Sequence, residues 1–159
     1  MKFPEGHLNL FVAKIDEPAI GQLRIVVAEG MLGDIEPIEF ADIDLGEVRP
    51  IQVTDESRFF EITWPHYVAY AVRNESYWKA EMQEPPFSKH LYQRFDSAFI
   101  AFVNATTFAD DDYPGPLQHW ALDTLNHCVD VVGVNPPSVK QIKPKLSNKL
   151  TAPKKARPS

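Results

Sequence analysis

Apolar residues along the first half of the chain fall in short runs, several of them with a period of two. Residues 8–15 and 22–28 are short and rich in β-formers, and they predict two strands with Pro18 and Gly21 between them. Residues 38–41 begin another strand, although the run to Leu45 is weakly patterned. Residues 49–54 predict a further short strand, with Pro50 at its edge or its first position. The clearest alternation is Phe60, Ile62 and Trp64 with Glu61 and Thr63 between them, the period of a half-buried strand. Pro65 interrupts it, and residues 67–74 resume with Val68, Tyr70 and Val72 on one face. A hairpin is the most economical reading of these two runs. Residues 79–87, through Pro85 and Pro86, predict a loop, and residues 90–92 one more short strand.

The period then changes. Asp96 and Ser97 are suited to cap a helix from about 98 to 106, where Phe99, Phe102 and Val103 fall on one face. Residues 110–116 hold strong helix and strand breakers. Residues 119–125 and 128–132 read as strands joined by a turn at Asn126 and His127. A helix across 117–133 competes, because Leu117, Ala121, Thr124, Leu125 and Cys128 also fit helical spacing, but the β-branched content favours strands. The fold expected is α+β: mostly antiparallel sheet with one main helix at about 97–107, in a single domain over residues 1–137. Past Pro136 and Pro137, Lys, Pro, Ser and Asn dominate. Residues 138–159 are therefore expected to be a disordered basic tail, unable to bury enough to offset its ordering entropy.

Charge sharpens that division. The net charge is −6, but residues 140–159 carry seven of the 16 Lys and Arg and no acid. Residues 1–139 carry the other nine against all 22 acids, so an acidic body of −13 bears a tail of +7. No apolar stretch reaches the roughly 18 residues of a membrane span, and the first residues make a poor signal peptide. One cysteine, Cys128, fits a reducing compartment and reads as a small buried hydrophobe. A cytoplasmic bacterial protein is the expectation.

Motifs for catalysis are few. There is no phosphate-binding loop, no Gly-x-Gly-x-x-Gly and no Gly-x-Ser-x-Gly. His127 adjoins Cys128, but neighbours on a strand point to opposite faces. His119, Asp123, His127 and Asp130, with Asp110, Asp111 and Asp112 upstream, resemble a metal cluster in composition but contain no tight ligand motif. No metal or cofactor is expected. If 119–125 and 128–132 pair, His119 and Asp130 come close. Arg73 and Glu75 end an apolar strand, as an anion grip and a base or as a satisfied strand end. Together, Arg73, Glu75, His119, His127 and Asp130 form an alternative hydrolase or ligand site. The other constellation is acidic. Asp34, Glu36, Glu39, Asp42, Asp44, Glu47, Asp55 and Glu56 lie in a region with only Arg49 and Arg58 to oppose them. Such a patch steers a basic partner and repels nucleic acid. Most of the aromatic residues are expected in the core, and an exposed subset would suit an interface.

The segments from Phe60 to Trp64, Tyr67 to Tyr77, Tyr113 to Trp120 and Asn126 to Val132 resemble a group of small bacterial proteins, over roughly residues 48–137. Some members are similar to the immunity proteins that accompany polymorphic toxins. Together with the −13 body and the lack of a recognisable catalytic set, the resemblance implies a non-enzymatic protein-binding module with a basic, toxin-like partner. It implies no catalytic residues. Self-pairing into a homodimer is a further possibility for this size of domain.

Overall fold

The computed structural model describes residues 2–4, 6–40, 43–77, 90–95 and 97–143, with backbone alone at positions 39, 40, 44 and 45. Its strands in chain order are β1 (Leu10–Ala19), β2 (Gln22–Glu29), β3 (Met31–Leu32), β4 (Glu36–Phe40), β5 (Ile43–Val48), β6 (Ile51–Gln52), β7 (Phe59–Trp64), β8 (Tyr67–Asn74), β9 (Leu91–Arg94), β10 (Gln118–Asp123), β11 (His127–Gly133) and β12 (Ser138–Ile142). The helix α1 is Ala98–Thr106, and Glu75–Tyr77 form a 3-10 turn. Every strand pairing is antiparallel. The α+β expectation, mostly antiparallel sheet with one helix, therefore holds.

Two four-stranded sheets run in the orders β1-β2-β7-β12 and β8-β11-β10-β9. Strand alternation explains their packing. Leu23, Ile25 and Val27 of β2 and Phe60, Ile62 and Trp64 of β7 point the same way and are buried, together with Val139 of β12. Leu122, Val129 and Val131 of the second sheet complete one apolar cluster with them, flanked by Tyr70, Leu91 and Trp120. Each sheet thus hides one face against the other, the arrangement of a sandwich.

Three expectations change. The runs around Phe60 and Tyr70 are not a hairpin. β7 pairs with β2 and β12, whereas β8 pairs with β11, so Pro65 and His66 carry the chain from one sheet to the other. Two-residue hairpins favour turns with positive φ, and the fixed φ of proline prevents one at Pro65. At this crossing Gly133 lies so close that an added Cβ would sit 2.8 Å from the His66 carbonyl oxygen. Secondly, the tail does not begin at 138. Residues 138–142 form β12 on the edge of the first sheet, with Val139 opposite Ile62. The alternation there is short and its outward residues are polar, so composition alone conceals it; residues 144–159 lie outside the described residues. Thirdly, β1 continues through Pro18 to Ala19. An edge strand tolerates proline, and the register shifts between Asp16 and Ala19. Of the predicted helix face, Val103 is buried and Phe99 half-buried, but Phe102 is 58% exposed. The loop expected at 79–87 and the capping candidate Asp96 lie outside the described residues, and Ser97 is the cap.

The remaining strands form an arm. Between Glu29 at the end of β2 and Phe59 at the start of β7, β3 pairs with β6 and β4 with β5. These two-stranded pieces follow one another outward from the end of the first sheet.

Two substitutions test this architecture. Val139→Ala is expected to lower the unfolding free energy by about 1–3 kcal/mol in urea denaturation. A negligible change would mean that residues 138–142 are not part of the sheet. Gly133→Ala is expected to cost about 1–3 kcal/mol through the clash at the crossing.

Candidate functional site

The outward face of the β8-β11-β10-β9 sheet carries a polar cluster among small apolar residues, and α1 lies against β10 and β11. Asp130 of β11 is its centre. The register sets small residues on either side of it, Ala71 of β8 and Ala121 of β10. These leave room for longer side chains two residues away to reach in diagonally. Arg73 Nη2 meets Asp130 Oδ2 at 2.5 Å, and His119 Nε2 meets Asp130 Oδ1 at 2.9 Å. The other imidazole nitrogen, Nδ1, is 2.5 Å from Ser97 Oγ. Ser97 Oγ also accepts the Ile100 amide at 3.1 Å as the N-cap of α1. Nε2–H donates to the carboxylate, and Nδ1 shares a hydrogen bond with the Ser97 hydroxyl whose direction the tautomer sets. The ring of Phe99 packs over His119 at 5.6 Å between centroids.

A second set adjoins it. Tyr92 O–H donates to Asp123 Oδ2 at 2.7 Å, and Arg94 Nη2 donates to the Tyr92 hydroxyl at 2.8 Å. Burial pushes the Tyr92 hydroxyl upward, as does the Asp123 carboxylate beside it. Burial also pushes the Asp130 carboxyl upward, but the hydrogen bond from His119 and the charges of Arg73 and Arg94 outweigh it. Asp130 therefore titrates below the usual carboxylate range.

Ser97, His119 and Asp130 have the residue types of a hydrolytic proton relay, and their spacing permits one. Access does not. His119 is 1% exposed, Asp130 4% and Ser97 5%, and the serine oxygen already caps the helix. No carbonyl substrate reaches that oxygen. The arrangement instead ties the start of α1 to β10, β11 and β8.

The structure divides the five-residue set expected from sequence. It brings Arg73, His119 and Asp130 together. Glu75 lies in the exposed 3-10 turn and lines a different cavity of about 270 Å³, beside Leu8, Leu10, Leu125 and Cys128. His127 falls on the opposite face of β11, in phase with Val129 and Val131. A single catalytic site made of all five does not form, because alternation separates His127 and the strand end displaces Glu75. The Asp110–Asp112 run is a turn in which Asp110 Oδ1 accepts the amides of Asp112 and Tyr113. Among the described residues no group of three His, Cys, Asp or Glu is placed to hold a metal ion. Cys128 is buried. Burial, followed by the charge of Asp123 and a hydrogen bond to it, pushes its thiol up to about 12. That leaves it protonated and a poor nucleophile. Sequence reading missed Ser97 as a partner of His119, and Tyr92 and Arg94 altogether. The alternation of β9 places the latter two on one face, which was the available signal.

The acidic positions occupy the arm. Asp34, Glu36, Glu47, Asp55 and Glu56 are exposed, and none of the five makes an ion pair among the described residues. Glu39 pairs with Asp44 in the backbone register, and Asp42 lies outside the described residues. Ile35, Ile43 and Val48 are exposed beside them. By contrast Glu29, at the base, is held by Arg58 at 2.6 Å. The large exposed aromatics, Tyr77, Phe95, Phe102, Phe108 and Tyr113, lie outside the arm.

Asp130→Asn is expected to lower stability by about 2 kcal/mol at neutral pH, the scale of a hydrogen bond to a charged group. A carboxyl whose folded pKa is depressed stabilises above its unfolded pKa and loses that contribution as pH falls through the folded value. The difference between wild type and Asp130→Asn, from urea midpoints at pH 7, 5 and 3, should therefore shrink towards acid. Iodoacetamide at pH 8 should label Cys128 slowly in the folded protein and rapidly in urea.

No family model, no curated protein and no solved structure matches this chain.

Proposed function

We propose that this protein is a non-enzymatic binding module that takes a basic protein partner on its acidic arm, in the manner of an immunity-type inhibitor of a toxin. The observation that carries the reading is the arm itself. It is a two-stranded ribbon with exposed carboxylates that make no ion pair among the described residues, and with exposed aliphatic side chains on the same segment. A two-stranded ribbon is marginal by itself in water, and a partner that covers it adds the missing contacts. The carboxylates speed encounter with a basic surface, and the aliphatic residues supply apolar area once the surfaces meet.

The polar cluster under α1 supports the same reading from the other side. Within it Asp130 is held by Arg73 and His119, and the Tyr92 hydroxyl by Asp123 and Arg94. No helix among the described residues is long and apolar enough to cross a membrane. A cytoplasmic setting, where a toxin-neutralising protein would act, accords with the lone free cysteine, Cys128.

Affinity capture from the native host at low salt, with mass spectrometry, tests the proposal when run beside the triple variant Glu36→Gln, Glu47→Gln, Glu56→Gln. A basic protein should be retained by the wild type, lost at ~0.5 M salt as screening shortens the range of charge, and reduced at least tenfold by the variant. Retention that ignores both salt and variant, or no basic protein at all, would overturn it.

A further inference from the structure

The end of β12 lies at the base of the arm. In the register, Ile142 is opposite Phe59 of β7, and Phe59 is opposite Ala28 of β2. Glu29, the last residue of β2, and Arg58, just before β7, are joined by the Glu29 amide donating to the Arg58 carbonyl, and the arm departs there. The chain after Lys143 therefore starts where the acidic ribbon starts. It holds Lys145, Lys149, Lys154, Lys155 and Arg157, no acid, and the aliphatic residues Leu146 and Leu150. Lys140 is already engaged, since its Nζ meets Glu61 at 2.7 Å, so the cations beyond the sheet form a separate block.

We infer that the C-terminal segment 144–159 docks along the arm of its own chain and occupies the surface until a partner displaces it. Charge, apolar content and reach all match. Sixteen residues span up to roughly 50 Å extended, and the dozen or so residues from Glu29 at the base of the arm to the turn after β4 span at most about 40 Å. The ribbon carries exposed Met31, Leu32, Ile35, Ile43 and Val48, which the leucines of the segment complement. Tethering holds the segment at an effective concentration near the millimolar range, so weak contacts suffice. An incoming basic protein must then compete with this internal ligand, which favours partners that bind the arm well over merely cationic ones. That consequence rests on the partner-binding reading above, whereas the contact itself does not.

Zero-length carbodiimide cross-linking of the full chain tests it, with peptide mapping of the monomer band. The expected links join Lys149, Lys154 or Lys155 to Glu36, Glu47 or Glu56, and fall at least tenfold between ~20 mM and ~0.5 M salt. A second measurement is the NMR amide spectrum of the full-length variant Lys145→Gln, Lys149→Gln, Lys154→Gln, Lys155→Gln. Its shifts relative to wild type should concentrate in residues 34–56. Links spread equally to Asp110, Asp111 and Asp112, links found only in covalent dimers, or unmoved arm amides would each overturn the inference. Arm-dependent capture of a basic partner without these links would leave the binding reading standing and remove the mask. The converse result would keep the mask and remove the partner.

Discussion

Two sheets cannot each hide one apolar face unless those faces meet, and most of this molecule follows from that requirement. Leu23, Ile25 and Val27 face one way because they alternate along β2. Phe60, Ile62 and Trp64 do the same along β7, and Val129 and Val131 answer them from β11. Once these side chains share a core, the chain must pass from the first sheet to the second between Trp64 and Tyr67. Pro65 makes the tight return of a hairpin unavailable there. The edge strand β12 then closes β7, which would otherwise present an unpaired apolar edge.

The two outward faces meet solvent by different means. On the first sheet, charges from all four strands meet in sequence. Lys14 and Arg24 contact Asp16, and Arg24 and Lys140 approach Glu61. Asp16, Arg24 and Glu61 are only part-exposed, whereas Lys14 and Lys140 reach them from solvent, and solvent-exposed partners of that kind add little stability individually. On the second sheet, α1 covers polar side chains, and a covered polar group needs a partner. Asp130 meets that need by holding Arg73 and His119, and His119 passes the tie to Ser97 and the helix start. Residue types associated with hydrolysis are here devoted to attachment, because the same helix that they anchor also shuts them in.

The arm stands outside this economy. It shares no sheet with the sandwich beyond its base, and its Asp34, Glu36, Glu47, Asp55 and Glu56 make no ion pair among the described residues. A basic partner and the basic end of the same chain are alternative answers to that imbalance, and both are electrostatic in origin. Their competition would make occupancy sensitive to ionic strength.

Much of the local structure was legible in the amino-acid order. The hydrophobic alternation gave β2, β7, β8 and β11, Ser97 announced the start of α1, and Asn126 marked the turn between β10 and β11, although His127 already belongs to β11. The polarity of the chain, an acidic body with a basic end, follows from composition alone. Alternation is a property of one strand, so it says which side chains share a face but not which strand lies alongside. The assignment of β7 and β8 to separate sheets, the recruitment of residues 138–142 as β12, and the parting of His127 from Asp130 were therefore decided by tertiary packing. So was the burial of Ser97, His119 and Asp130, since exposure depends on what the rest of the chain lays over a residue. Local sequence determined where strands and the helix form; the need to bury two apolar faces together, and to partner the Asp130 carboxylate trapped outside them, decided the rest.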